Sequence, residues 1–172
     1  MALRLDPIDE ARRHWVDHGW SDAADGMALV TSITRVQQLF TNRIERILRP
    51  MGLTFSRYEV LMLLHFSGAG TLPLGKIGER LQVQAGSVTN VIDRLEADGL
   101  VRRQPHATDG RGTLAVITET GRLRALAATD TLNELVFAPL STSSVDTRDV
   151  FDMMRSVRLD AGDFVPESKL TG

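Results

Sequence analysis

The sequence predicts a mainly α-helical protein with one small β-hairpin. Three observations favour this fold class. Apolar residues recur at helical spacing through most of the 172 residues, breaks containing Gly or Pro separate these segments, and the stretch VRRQPHATDGRGTLAVI has two short strand-like runs around a polar loop. The loop carries Asp, Arg and two Gly, which add little to a core. We therefore expect the hairpin to touch something outside the protein.

Composition narrows the class of protein. Hydrophobic residues make up 42% and charged residues 24% of the chain, which is typical of a globular protein with a real core. The absence of cysteine excludes a disulfide framework and a thiolate metal site, and it favours a cytoplasmic location. The N-terminus is charged where a signal peptide is apolar, and the apolar runs are too short to span a bilayer, so we expect no membrane partner.

An extra amphipathic helix is expected over residues 6–18. Asp6 and Pro7 match an N-cap followed by proline at the first helical position. Its polar face has a metal-like set with histidines four residues apart: Glu10, His14, Asp17 and His18. The apolar opposite face favours a simpler interpretation, the solvated side of an amphipathic helix. We therefore expect no metal and no cofactor.

A long helix is expected next. After a break at residues 19–26, apolar residues at helical spacing predict a helix over residues 27–49, roughly 35 Å long. Pro50 and Gly52 end it. Such a helix is longer than a small core requires, so it predicts a second role in dimerisation.

The middle of the chain predicts a compact lobe. Ser56 and Glu59 form a capping-box pattern at the start of a helix that runs to about residue 66. Gly99 is placed as a left-handed C-cap, and Pro73 as the start of a short helix. The remaining elements follow in order: a short helix over 74–81, a tight turn over 82–84, a helix over 85–97, then strand, loop and strand to residue 117.

The helices after the hairpin also carry unused apolar stripes. A helix is expected over residues 119–137, ended by Pro139, and a last helix over residues 144–158. Their apolar faces exceed what one lobe needs, so they predict a partner. The expected organisation is dimerisation helices over 1–53, a lobe over 54–118, further dimerisation helices over 119–160, and a tail over 161–172.

The lobe has the order of a winged helix-turn-helix. In such a unit the second helix lies in the DNA major groove, and the hairpin is the wing. The N-terminal half of that helix, QAGSVTN, combines small residues with side chains that both donate and accept hydrogen bonds. Arginine and lysine nearby would neutralise phosphates. The predicted DNA-binding residues are Lys76, Gln84, Ser87, Thr89, Asn90, Arg94, Arg102, Arg103, Asp109 and Arg111.

Each of these assignments has a plainer alternative. Ser87 could cap its helix, Asn90 could satisfy local backbone, and Arg94 could be a solvated charge. The six basic and five acidic residues between positions 76 and 111 leave a net charge of only +1, so placement decides. Arg111, between two glycines at the hairpin tip, is suited to a narrow minor groove, with Asp109 shaping the loop. The alternative there is an Asp-Gly turn with a solvated arginine.

A resemblance to a known family covers residues 27–160. The stretch LPLGKIGERLQVQAGSVTNVIDRLEADGLVRRQPHATDGRGTLAVITETG resembles the DNA-binding lobe of the MarR family, the multiple antibiotic resistance regulators. The D-x-R wing (Asp109, Arg111), the T-x-x-G helix start (Thr118, Gly121) and LTFSRYEVLMLL upstream match its pattern. The resemblance implies a homodimer with intertwined terminal helices and two winged lobes on a pseudo-palindromic double-stranded DNA operator.

The resemblance also implies a small-molecule effector, often an anionic aromatic compound. The lack of cysteine excludes thiol sensing. An extra first helix with Trp15, and an acidic residue at Glu59, are similar to the urate-responsive branch, but that branch has Arg where this chain has Val91. His65 is expected in the core or at the edge of an effector pocket. Trp15 is expected mainly in dimer packing, and it could contact an effector as well.

These observations predict a dimeric, sequence-specific DNA-binding transcriptional regulator, a repressor released by an effector. The alternative is a winged-helix protein-interaction module without DNA binding, which the near-zero local charge favours. An enzyme is not expected, since the chain has no HExxH, no cysteine nucleophile and no phosphate-binding Gly loop.

Overall fold

The computed structural model describes residues 5–106 and 112–166. Within these ranges the chain is mainly helical with a small antiparallel sheet, which confirms the predicted fold class. The helices are α1 (Pro7–Asp17), α2 (Ser21–Leu48), α3 (Phe55–Phe66), α4 (Leu74–Leu81), α5 (Ala85–Ala97), α6 (Glu119–Leu132), α7 (Ala138–Ser141) and α8 (Thr147–Asp160). The strands are β1 (Thr71–Pro73), β2 (Val101–Pro105) and β3 (Thr113–Ile117).

Helices α1 and α2 form a hairpin of helices, the arm. The Asp6 side chain caps α1 by accepting from the Ile8 amide at 2.9 Å, as predicted. The predicted break at residues 19–26 is wrong, because α2 already begins at Ser21 and includes Gly26. The reason is tertiary: Arg12 of α1 pairs with Asp25 at 2.5 Å and holds the first turns of α2 against α1.

Helix α3 begins two residues earlier than the predicted capping box. Its N-cap is Thr54, whose hydroxyl accepts from the Arg57 amide, whereas Ser56 lies exposed in the first turn. In a capping box a glutamate within the helix accepts a hydrogen bond from a backbone amide at the helix start. Here the acceptor is a glutamate of another helix. Glu45 of α2 accepts from the Phe55 amide at 2.8 Å, so Glu59 is released from any capping role.

The sheet contains the predicted hairpin and one strand that the sequence did not reveal. Strand order is β1-β3-β2, and both pairings are antiparallel. Ala115 of β3 lies opposite Leu72 of β1 and Arg103 of β2. A strand of three residues that ends in proline is too short to show an alternating pattern, which is why β1 was missed.

The helix-turn-helix has the predicted bounds. Helices α4 and α5 are joined by a tight turn in which Gln82 adopts φ +54°. Gly99 follows α5 at φ +69°, the left-handed conformation expected of it. One face of α5 is buried in the core through Val88, Ile92 and Leu95, so its opposite face is free to contact other molecules.

The last part of the fold differs from the prediction at Pro139. The helix does not end there: a π-helical turn over Asn133–Phe137 continues into α7. Proline has no amide to donate to the carbonyl of Leu135, four residues earlier. Arg43 of α2 donates to that carbonyl instead, so the helix passes the proline. The final helix starts at Thr147 rather than residue 144, since Asp146 caps it with two amide bonds.

The core and the exposed apolar surface lie in different parts of the molecule. The core is built where α3, α5 and α6 meet the sheet. Helices α2 and α8 expose many large apolar side chains, among them Leu29, Val30, Val36, Leu39, Val150, Phe151 and Val157. Within the described residues, none of the helices is both long and apolar enough to cross a membrane.

Gly121 gives a test of this packing. Thr118 caps α6 by accepting from the Gly121 amide at 3.0 Å. A Cβ on Gly121 would lie 2.0 Å from the carbonyl oxygen of Leu100, which is backbone and cannot move aside. We expect Gly121→Ala to destabilise the protein by about 3 kcal/mol, measured by denaturant unfolding. Gly75→Ala meets open space and serves as the control, with no loss of stability; equal effects of the two would contradict the packing.

Candidate nucleic-acid interface

The N-terminal half of α5 presents a polar surface. Gln84, Ser87 and Asn90 are exposed, and the α5 cap is Gln84 through its backbone alone, with no side-chain cap bond. Ser87 is therefore not a capping residue. Thr89 is also exposed, and its hydroxyl donates to the Ala85 carbonyl at 3.1 Å. The exposed surface thus offers several hydrogen-bonding groups on one face of a helix whose side chains are mostly short.

The C-terminal half of α5 is acidic, and arginines from other elements neutralise it. Arg103 of β2 makes two ion pairs, to Asp93 and to Glu96, each at 2.5 Å. Its backbone amide also donates to Glu96 at 2.8 Å. Arg57 of α3 pairs with Asp98, the C-cap of α5. Each of the three acids on this half of the helix is therefore engaged by an internal arginine.

This pairing separates the predicted cations into two groups. The Arg103 guanidinium is engaged by α5, so its contacts hold the wing strand against the helix. Arg94 and Arg102 are exposed. Lys76 is exposed as well and pairs with Glu79 at 2.8 Å within α4, a surface contact worth little. Asp109 and Arg111, the predicted wing tip, lie outside the described residues.

Asn90 and Arg94 line one polar cleft. The cleft has a volume of about 430 Å³ and lies between α5 and the first turn of α3, where Ser56 and Arg57 form its other wall. Both predicted contact residues therefore share one edge of α5. Arg94 is exposed, so the alternative of a solvated charge is compatible with this position.

The three predicted effector residues have separate surroundings in one protomer. Glu59 lines a cavity of about 140 Å³ between α3 and α5, beside Ser87 and Val91. Burial raises the pKa of the Glu59 carboxyl above its ordinary value of 4.5. His65 lies elsewhere on α3, with Nδ1 3.2 Å from an Arg122 nitrogen. Trp15 of α1 packs edge-on against Trp20, with ring centroids 5.4 Å apart.

His14 of α1 and His18, the C-cap of that helix, lie one turn apart. The His18 Nδ1 atom lies 2.7 Å from the carbonyl oxygen of His14 one turn earlier. Across residues 5–106 and 112–166, no group of three or more His, Asp or Glu side chains is arranged to hold an ion.

Two contacts of the site were not predicted from the sequence: the pairing of Arg57 with Asp98, and that of Gln82 with Asp163. The acids of α5 were visible in the sequence, but nothing there indicates that Arg57, 41 residues earlier, pairs with Asp98. Gln82, in the turn of the helix-turn-helix, also binds a residue near the C-terminus. The Gln82 side chain donates to the Asp163 carboxylate at 2.7 Å, and Arg158 donates to the other oxygen of that carboxylate. The first residues of the tail are therefore attached to the lobe.

The two glutamates of this site predict opposite pH effects. Hydrogen bonds from the backbone and side chain of Arg103 hold the pKa of Glu96 below its ordinary 4.5, so its stabilising contribution is present above pH 4.5 and is lost as the pH falls through the lowered pKa. The raised pKa of Glu59 acts the other way: ionisation opposes folding as the pH rises above 4.5. At pH 7 we expect Glu96→Gln to lower Tm and Glu59→Gln to raise it.

Thermal unfolding between pH 3 and pH 7 checks this prediction. The difference in Tm between Glu59→Gln and the parent should shrink on acidification, as the parent carboxyl becomes protonated. Each variant is the control for the other because both replace a glutamate by its isosteric amide. Shifts of the same sign at pH 7 would contradict the assigned environments.

Comparison with known proteins places this geometry in a family. The model of the MarR family matches residues 53–113. HTH-type transcriptional regulator MhqR from Bacillus subtilis (strain 168) is 33% identical over 95 residues, a segment that covers 55% of this chain and 64% of MhqR, slightly under two thirds of that relative.

Two solved structures share the fold over most of the chain. Sco3205 from Streptomyces coelicolor, a MarR family transcriptional regulator solved in complex with DNA, is 21% identical, with a TM-score of 0.69 and coverage of 84% of this chain and 91% of Sco3205. Sco5413, a MarR family transcriptional regulator from the same organism, is 44% identical, with a TM-score of 0.74 and coverage of 83% of this chain and 99% of Sco5413. The resemblance seen in the sequence is thus confirmed, and this chain belongs to the MarR family of transcriptional regulators.

Proposed function

We propose that this protein is a homodimeric repressor that binds a pseudo-palindromic operator in double-stranded DNA and leaves it when a small molecule binds. The observation that carries the proposal is the division of α5 into an exposed polar half and an acidic half neutralised from within. Such a helix can approach DNA closely without bringing unpaired carboxylates to the phosphates. The DNA complex of Sco3205, which has the same fold, supports this use of the lobe.

In the proposed complex α5 lies in the major groove. Gln84, Ser87 and Asn90 would contact base edges, where amide and hydroxyl groups meet donors and acceptors, and the Thr89 methyl group would suit a thymine. The remaining cations would bind phosphates and release counterions: Lys76, Arg94 and Arg102. Arg111, with Asp109 shaping its loop, would enter the adjacent minor groove. A regulator of chromosomal genes would do this in the cytoplasm.

Dimerisation is proposed from the arm. A groove of about 810 Å³ runs between α1 and α2, lined by apolar side chains that include Ile8, Val30 and Val36. One lobe contacts few base pairs, whereas two lobes related by a twofold axis contact half-sites about one helical turn apart. A second copy of the chain would cover the exposed apolar faces of α2 and α8 and supply that spacing. A dimer spread over an operator would repress by excluding the transcription machinery.

The effector site is proposed at Glu59. The cavity there is bounded by Ser87 and Val91 of α5, so a ligand that widened it would shift the recognition helix. The raised pKa makes Glu59 easier to protonate, and a protonated carboxyl can donate to an anionic aromatic ligand. His65 and Trp15 do not share this cavity within one chain.

Selection of bound fragments from a genomic DNA pool tests the function. We expect a palindromic consensus, and binding that weakens steeply as salt rises from 50 to 200 mM, on the order of 10³-fold for six phosphate contacts. The alternative is the protein-interaction module without DNA binding. Recovery of no consensus, together with salt-insensitive or undetectable binding, would favour that alternative.

Arg111→Ala tests the wing. We expect at least about tenfold weaker operator binding, since a minor-groove arginine contributes both charge and a shape-dependent contact, with Tm unchanged. Fluorescence anisotropy with a labelled operator measures this. Arg13→Ala removes an exposed arginine of α1 and is the matched control. Equal affinities for Arg111→Ala and the parent would remove the wing from the mechanism.

Val36→Glu tests the dimer. Val36 is 46% exposed on α2, so a carboxylate is tolerated in a monomer but not inside an apolar interface. We expect a monomer by light scattering, and loss of operator binding as a consequence. Gln37→Glu adds the same charge to an exposed neighbouring position of α2 and should remain dimeric if Val36 faces the partner. A parent protein that is monomeric at micromolar concentration would contradict the proposal.

A further inference from the structure

The Arg57 side chain joins the end of the arm to the recognition helix. Only 12% of this side chain is exposed. One terminal nitrogen donates to the carbonyl oxygen of Gly52 at 2.8 Å, in the turn that follows α2. The other makes the ion pair with Asp98 at the C-cap of α5. A single guanidinium therefore bridges the start of α3, the end of the arm and the end of α5.

The same turn is also bound from α6. Arg124 donates to the carbonyl oxygen of Met51 at 2.5 Å, one residue before Gly52. Helices α2 and α6 thus meet at a turn that two arginines bind. Only Arg57 continues the connection to α5. The orientation of the arm is thereby connected to the helix that carries Ser87 and Asn90.

The other contacts of α5 with the lobe core are of a different kind. Val88, Ile92 and Leu95 are buried and keep one face of the helix on the core through apolar contacts, which are non-directional. A charge-assisted bond of a planar guanidinium has a defined direction. Arg103 gives such bonds toward the wing, and Arg57 gives them toward the arm.

The Nε atom of Arg57 indicates that stability alone does not account for this residue. It is buried and has no hydrogen-bond partner among the described residues. An unsatisfied buried donor costs free energy, and an apolar residue of similar length would avoid that cost. A side chain kept in spite of such a cost is better explained by the geometry that its other two nitrogens impose.

From these contacts we infer that Arg57 is a positioning residue for operator recognition: it fixes the rotation of α5 relative to the arm without touching DNA. This inference rests on the proposed DNA-binding function. Removal of the bridge should lower discrimination between operator and other sequences, because base contacts depend on the exact position of α5 more strongly than phosphate contacts do.

The test compares Arg57→Met with the parent in affinity for the selected operator and for a scrambled duplex of equal length. We expect the ratio of the two affinities to fall about tenfold, while the slope of affinity against salt stays the same, since no phosphate contact is lost. The affinity ratio of Arg57→Lys should lie between those of the parent and Arg57→Met. A single ammonium cannot bind a carbonyl and a carboxylate at once with the geometry of a guanidinium.

Asp98→Asn tests the same bridge from its exposed end and is safe for folding, since 53% of the Asp98 side chain is exposed. Asp98→Asn should also lower the ratio of operator affinity to scrambled-duplex affinity. The double variant Arg57→Met/Asp98→Asn should have the same ratio as Arg57→Met alone, because both changes remove one bridge. Arg46→Met, at an exposed position of α2, is the matched control and should leave the ratio unchanged.

Two results would overturn the inference. An unchanged ratio in both Arg57→Lys and Asp98→Asn, whatever happens to Tm, would leave Arg57 with a structural role only. An equal loss of operator and scrambled-duplex affinity, with a salt slope smaller by about one, would show a direct phosphate contact. A parent protein that prefers no sequence would instead overturn the proposed function, and the inference with it.

Discussion

The surface of helix α5 depends on the neutralisation of its acidic half by two arginines from other elements. Asp93, Glu96 and Asp98 would otherwise bring three carboxylates close to the surface that is proposed to meet phosphates. Arg103 and Arg57 occupy them, and in doing so attach α5 to the wing on one side and to the arm on the other. The near-zero net charge of this region is therefore no argument against DNA binding, because each of these acids is already paired with an arginine of the lobe.

Other arginines have a similar internal role, with carbonyl groups as their acceptors. Arg43 donates to the Leu135 carbonyl, to which Pro139 has no amide to donate, and Arg124 donates to the Met51 carbonyl after the end of α2. Charged donors satisfy carbonyl groups that regular structure leaves open. The basic residues of this chain thus divide into internal donors and surface cations, and composition alone cannot separate the two sets.

The sequence predicted those elements whose signals are local. Gly99, Thr118 and the bounds of α4 and α5 follow from caps, turns and helical spacing within a few residues. The errors have distant causes. Glu45 caps the start of α3, which therefore begins before Ser56. The Arg12–Asp25 pair stabilises the first turns of α2, which include Gly26. Arg43 binds the Leu135 carbonyl where the helix continues through Pro139. Each error lies where a side chain from another helix replaced the local signal.

The same distinction applies to the candidate site. The exposed face of α5 follows from helical spacing, but the pairing of Arg103 does not. Glu59 and His65 are six residues apart on α3, a rotation of roughly 240°, so one cavity cannot readily receive both. Trp15 belongs to α1, which packs along α2 of its own chain, away from the Glu59 cavity. For Trp15 to take part in that cavity it has to come from a second copy, so the proposed effector site and the proposed dimer depend on each other.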